Sequence, residues 1–186
     1  MNELENGTVV KINNDPYMIM SIKHLHMGRG SSSTQARIKN LRTGQVLERN
    51  YKPADEFEEA EVEKMPCVSL YQSRGEYWFN EKSNPKNRFN LKVDDLGDSA
   101  KFLKPNLDVT AIKFDEKIIG VELPIKVDYK VVEAPPAIRG NTAQGGTKMA
   151  VIEGGASISV PLFVNEGDII RVNTQLGEYT ERMEKA

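Results

Sequence analysis

The chain has 186 residues, 39% of them hydrophobic, enough for one ordinary domain or two to three small ones. Its 25 basic and 27 acidic residues leave a net charge of -2, which excludes retention on bulk nucleic acid by charge alone. No run approaches the roughly 18 apolar residues of a membrane-spanning helix, and a single cysteine, Cys67, excludes an internal disulfide and fits a reducing compartment.

The first residues, Met1-Asn2-Glu3-Leu4-Glu5, lack the basic start and apolar run of a secretory signal, so a cytoplasmic location is expected. Short β-like runs follow. Gly7–Ile12 is the first, closed by the turn cluster Asn13-Asn14-Asp15-Pro16. Tyr17–Ile22 is the second and Gln35–Leu41 the third, ended by Arg42-Thr43-Gly44. Gln45–Arg49 is the fourth, and Ala60–Glu63 is read as a fifth despite its charge. Five short strands joined by Gly- and Asn-containing turns suggest a small closed barrel over residues 1–64. Residues 1–52 carry eight Lys or Arg against four Asp or Glu, and the stretch from Asp55 to Glu63 is densely acidic. A basic body with an acidic rim suits phosphate contacts and suppresses indiscriminate ones.

Between the second and third runs lies Gly28-Arg29-Gly30-Ser31-Ser32-Ser33, the core of a tip loop over residues 27–33. Glycine relieves backbone strain and permits close approach to a partner. A guanidinium is permanently charged and can meet phosphates or carbonyl oxygens. No carboxylate, thiol or histidine adjoins Arg29, so the loop reads as a contact device and not as a catalytic centre. An ordinary hairpin tip with a solvated arginine is the alternative. The loop lacks the GxxxxGK[ST] pattern of a nucleotide-binding P-loop. His24 and His26 share an i,i+2 face without the further ligands a metal needs. They are candidates for RNA phosphate contact, as are Arg37 and Lys39, with plain surface packing as the alternative.

Met65-Pro66 marks a break, and a second series occupies residues 65–126: Cys67–Gln72, Glu76–Asn80, Arg88–Val93, a short helix over Asp94–Leu103, then Leu107–Phe114 and Ile118–Leu123. Strands with one interposed short helix suit a five-stranded Greek-key barrel. Its aromatics, Tyr71, Tyr77, Trp78, Phe79 and Phe89, read as core at alternating strand positions, with RNA stacking as the alternative. Asp94, Asp95 and Asp98 suit a helix start, and Cys67 reads as buried packing, not a nucleophile. A third unit, residues 127–186, opens with the strand Lys126–Glu133 and the stiff turn Ala134-Pro135-Pro136. A Gly/Thr-rich stretch leads to strands at Ser157–Pro161 and Asp168–Asn173. The joins carry no Gly/Ser linker, so an elongated, semi-rigid rod of three barrels is expected.

The third unit carries a long match. The run from Pro135-Pro136-Ala137-Ile138-Arg139-Gly140-Asn141-Thr142 through Lys148-Met149-Ala150 to Val160-Pro161-Leu162-Phe163-Val164-Asn165-Glu166-Gly167 resembles bacterial elongation factor P, a family of translation factors. Gly177-Glu178-Tyr179-Thr180-Glu181-Arg182 and Arg37-Ile38-Lys39-Asn40-Leu41-Arg42-Thr43-Gly44 extend the resemblance over essentially the whole chain. It implies an all-β fold, a KOW/SH3-like barrel followed by two OB barrels. It also implies a non-enzymatic factor that binds the 70S ribosome, its ribosomal RNA and peptidyl-tRNA. Such factors promote peptide-bond formation, above all at consecutive prolines, without a cofactor, metal or membrane. Counting back from Lys39-Asn40-Leu41 puts the family's modified tip residue at Arg29. Many members carry Pro-Gly-Lys-Gly there, with the lysine extended by a β-lysyl group; another branch attaches rhamnose to arginine. Here Met27-Gly28-Arg29-Gly30 excludes the lysine-specific extension and leaves Arg29 unmodified, bearing a sugar or otherwise modified by a modifying enzyme. The alternatives to the main factor are the family's paralogue and a general OB-type RNA-binding protein. A monomer is expected.

Overall fold

Three hairpins set the backbone pattern, and each turns on two residues with positive φ. Asn13 and Asn14 (φ 51° and 67°) join β1 (Val9–Ile12) to β2 (Asp15–Leu25). Arg74 and Gly75 (φ 51° and 82°) join β6 (Glu63–Ser73) to β7 (Glu76–Glu81). Asp115 and Glu116 (φ 47° and 63°) join β9 (Asp108–Phe114) to β10 (Lys117–Glu122). Two consecutive left-handed residues give the turn whose twist matches that of paired strands. The computed structural model describes residues 5–25, 33–52, 55, 58–136 and 146–186.

Three five-stranded antiparallel sheets follow one another along the chain. The first has the order β4-β3-β2-β1-β5, with β3 at Ser33–Asn40, β4 at Val46–Tyr51 and β5 at Glu58–Glu59. Its core is Val10, Ile19, Ala36 and Ile38, with Tyr17, Ile22 and Leu47 packed around them. The second has the order β10-β9-β6-β7-β8, with β8 at Arg88–Lys92. A short helix, α1 (Val93–Leu96), and a 3-10 turn over Gly97–Phe102 close it and bury Leu96, Ala100 and Phe102. The third has the order β13-β12-β11-β14-β15: β11 Lys126–Glu133, β12 Thr147–Ile152, β13 Ser157–Pro161, β14 Ile169–Asn173 and β15 Glu178–Glu184. The chain is all-β, as the sequence implies.

Three local readings change. The fifth strand is Glu58–Glu59, paired with Val10 and Lys11, and not Ala60–Glu63. The strand expected from Cys67 begins earlier, because β6 runs from Glu63 through Met65-Pro66. The Pro66 carbonyl accepts from Lys82 N at 2.9 Å. A residue's N–H and C=O share one side of a strand, so the donor proline lacks falls just past the end of β7, where no ladder bond is required. The third sheet also has two strands, β12 and β15, that alternation did not reveal.

The joins between sheets are packed. Leu41 of the first meets Ile112, Phe114 and Ile119 of the second, with Val9 and Met18 alongside. The second and third share one continuous core that includes Phe102, Leu103, Val127 and Tyr129. The Tyr129 hydroxyl donates to Phe102 O at 2.7 Å, and burial pushes its phenol pKa far up, so it stays a donor. Lys104 Nζ crosses the same join, donating to Asp128 O (2.6 Å) and Glu153 Oε1 (2.9 Å).

Candidate functional site

The β2–β3 hairpin carries the candidate site. Its arms pair from Tyr17↔Asn40 out to Leu25↔Ser33, a reach of roughly 24 Å at ~3.4 Å per residue. The β1 ladder ends at Met18, so the outer half of β2 has β3 as its strand partner. Met20 is a bulge: Ile19 faces Ile38, the next pair is Ser21↔Arg37, and Met20 is left exposed. Bulges bend and twist a strand, and this one lies where the hairpin leaves the barrel.

Alternation then sorts the side chains into two faces. Ile22, Ala36 and Ile38 face the core, and His24 continues that face outward opposite Thr34, with Nδ1 and Oγ1 3.3 Å apart. The other face carries Ser21, Lys23, Gln35, Arg37, Met18 and Lys39. The structure therefore brings Arg37 and Lys39 together and puts His24 on the opposite face. Lys23, opposite Gln35, joins the cationic face; the bulge at Met20 shifts the alternation that would have placed it, so only the register finds it. Among the described residues none of these three cations forms an ion pair. Glu48 of β4 stands opposite Arg37 in register. His26, Gly28, Arg29, Gly30, Ser31 and Ser32 lie outside the described residues.

Asn40 explains the sequence around it. It is 4% exposed, and its Oδ1 accepts from Arg42 N (2.8 Å) and Thr43 N (3.1 Å). Its Nδ2 donates to Asp15 Oδ2 at 3.3 Å, and Asp15 Oδ1 accepts from Arg42 Nε at 2.8 Å. One amide thus closes the turn after β3 and ties it to the start of β2. Arg42 is neutralised there, so it is not part of the free cationic face.

Elsewhere the chemistry is occupied. A cleft of about 250 Å³ between the second and third sheets is lined by Tyr71, Tyr77, Lys104 and Glu153. Its Lys104 already serves the join and it lies far along the chain from the hairpin, so we place the candidate site on the hairpin. Cys67 is fully buried, and burial pushes its thiol up, which suits packing and not nucleophilic attack. The aromatics divide: Phe79 is in the core stacked on Phe89 (5.3 Å), whereas Tyr71 is 47% exposed and stacked on Trp78 (6.2 Å).

The first 57 residues match the elongation factor P KOW-like domain, and residues 127–182 match the elongation factor P C-terminal domain. Curated relatives align end to end. Elongation factor P of Moorella thermoacetica is 38% identical over 97% of this chain and 97% of its own. That of a Hydrogenobaculum species is 35% identical over 100% of this chain and 95% of its own. Among solved structures, eukaryotic translation initiation factor 5A from Methanococcus jannaschii aligns with a TM-score of 0.43 and 16% identity, covering 65% of this chain and 86% of that one.

Proposed function

Because this chain belongs to the elongation factor P family, and is thus a translation elongation factor, we propose that it binds the 70S ribosome beside peptidyl-tRNA and speeds peptide-bond formation at consecutive prolines. The observation that carries the reading is the end-to-end match to elongation factor P at both terminal domains. The long hairpin supports it: a cationic row, Lys23, Arg37 and Lys39, runs along one face toward residues 27–33. Cations on a strand meet successive phosphates and hold register without reading bases.

In this reading Arg29, with Gly28, Gly30, Ser31 and Ser32, forms the contact at the acceptor end of the tRNA. A planar five-donor guanidinium can bridge phosphate and ribose, which a lysine ammonium does less well. Proline is a poor substrate because its ring fixes φ and removes a donor. Holding the ester and the amine nearer to reactive geometry lowers the barrier through orientation, and the ribosome supplies the chemistry. The factor itself is non-enzymatic, cytoplasmic and monomeric, arranged as domains 1–64, 65–126 and 127–186. His24 is kept as an RNA contact on the second face of the hairpin, and His26 is kept as a further candidate. If a modifying enzyme acts on the chain, its target is Arg29. No helix among the described residues is long and apolar enough to cross a membrane.

Ribosome profiling tests the proposal. Deletion of the gene should raise occupancy at Pro-Pro codons several-fold. Equal pausing with and without the protein would instead favour the paralogue, and equal affinity for random single-stranded RNA and for programmed ribosomes would favour a general RNA-binding protein.

A further inference from the structure

The outer face of β6, β7 and β8 is organised in three cross-strand rows. The bulge between Ser69 and Tyr71 brings Tyr71 opposite Trp78. Trp78 in turn faces Asn90, so the central row reads Tyr71, Trp78, Asn90. On one side lie Val68, Asn80 and Arg88; on the other lie Ser73, Glu76 and Lys92. The two central rings are near-parallel, with 20° between their planes.

The charges on this face are uneven in their partners. Arg88 and Lys92 are exposed at the edge strand, and neither forms an ion pair among the described residues. The one carboxylate in the rows, Glu76, is already held by Asn90 Nδ2 at 2.5 Å. Apart from the two rings, Val68 is the only apolar side chain in the rows. That is too little apolar area for the buried centre of a protein interface. Flat rings bordered by free cations instead match the two parts of a single-stranded nucleotide, a base with a π-face and a phosphate.

We propose that this face is a second RNA-contact surface: an unpaired base stacks on the Tyr71–Trp78 pair while Arg88 and Lys92 hold the flanking phosphates. The hairpin would grip one RNA element and this face another, on a different sheet of the same molecule. A single strand is required, because bases in a duplex have no free face to offer.

Trp78 is the only tryptophan in the chain, so intrinsic fluorescence reports on this face directly. Full-length protein is titrated with a ten-nucleotide single-stranded RNA at low salt. The expected result is saturable quenching of Trp78 emission, with a dissociation constant of order 10⁻⁵ M. Tyr71→Ala should weaken binding about tenfold, by loss of one stacking partner. Arg88→Ala should flatten the plot of log affinity against log salt by about 0.7. Both side chains are exposed, so neither change threatens the fold. Emission that RNA leaves unchanged would overturn the proposal, as would a quench that both variants retain at full strength. Quenching by an acidic peptide but not by RNA would assign the face to a protein partner and overturn it too. The assay uses no ribosome, so its failure is distinct from failure of the polyproline reading.

Discussion

Asp168 is a carboxylate with no exposed surface, held by three donors: Asn165 N (2.9 Å), Ala186 N (2.9 Å) and Arg182 Nη1 (3.3 Å). Burial alone would raise its pKa, but the two backbone N–H bonds and the guanidinium outweigh that and hold it below the usual 3.8. Asp128 is lowered as well, chiefly by its hydrogen bonds from Arg171 (2.7 and 3.0 Å). A carboxyl whose folded pKa is depressed stabilises the fold above its unfolded pKa, and that contribution is lost as pH falls through the folded value. The third sheet should therefore weaken on acidification below about pH 4, which hydrogen exchange of its amides measures. Asp168→Ala leaves buried N–H donors without an acceptor and should cost about 2–3 kcal/mol in denaturant unfolding, with a shallower acid dependence than the parent. At this scale the sequence showed residue types but not their partners. Asp168 read as the start of a strand and Asn40 as part of a resemblance. The bonds that explain both join residues brought together by the turns. Arg37 and Lys39 were legible as cations, but Lys23 needed the register of β2 against β3.

At the scale of elements, hairpin turns are where sequence and backbone fit least well. Asp115-Glu116 places two residues with side chains in the left-handed region, where a Cβ costs roughly 1–2 kcal/mol. Glu116→Gly should therefore stabilise the protein by about 0.5–1 kcal/mol after glycine's own entropy cost, seen as a higher thermal midpoint. The Lys113–Glu116 ion pair lost with it is exposed on the carboxylate side and contributes little. Most strands were readable because their apolar residues alternate between turn signals. Two were not. In β15, Glu-Tyr-Thr-Glu-Arg-Met-Glu, no residue is fully buried, since it is an edge strand with polar groups on both faces. In β12, Thr-Lys-Met-Ala-Val-Ile, the buried positions are Ala150 and Ile152, too few to stand out beside exposed Met149. The acidic run before β6 misled in the opposite way. Val62 packs against the join with the second sheet and not within a strand.

For the molecule as a whole, the joins decide shape. The first sheet packs on Ile112, Phe114 and Ile119, and the third on Phe102 and Leu103; no core cluster or hydrogen bond given by the described residues links the first sheet to the third. That arrangement predicts a rod, with a radius of gyration by small-angle scattering well above the roughly 16 Å of a compact chain of this length. At Gly154 (φ 98°) a Cβ would lie 2.9 Å from both Leu103 O and Lys101 O, across the second join. Gly154→Ala should loosen that join, destabilise the protein by about 1–3 kcal/mol and broaden the scattering-derived distance distribution. We propose that such a rod would hold the outer end of the β2–β3 hairpin at a fixed distance from the rest of the body. The most direct measurement is the single-turnover rate of Pro-Pro bond formation on purified 70S ribosomes, with and without the protein. The account predicts a rate increase of at least tenfold, about 1.4 kcal/mol off the barrier, largely lost in Arg29→Ala at saturating protein. An unchanged rate with the folded parent protein bound would contradict it.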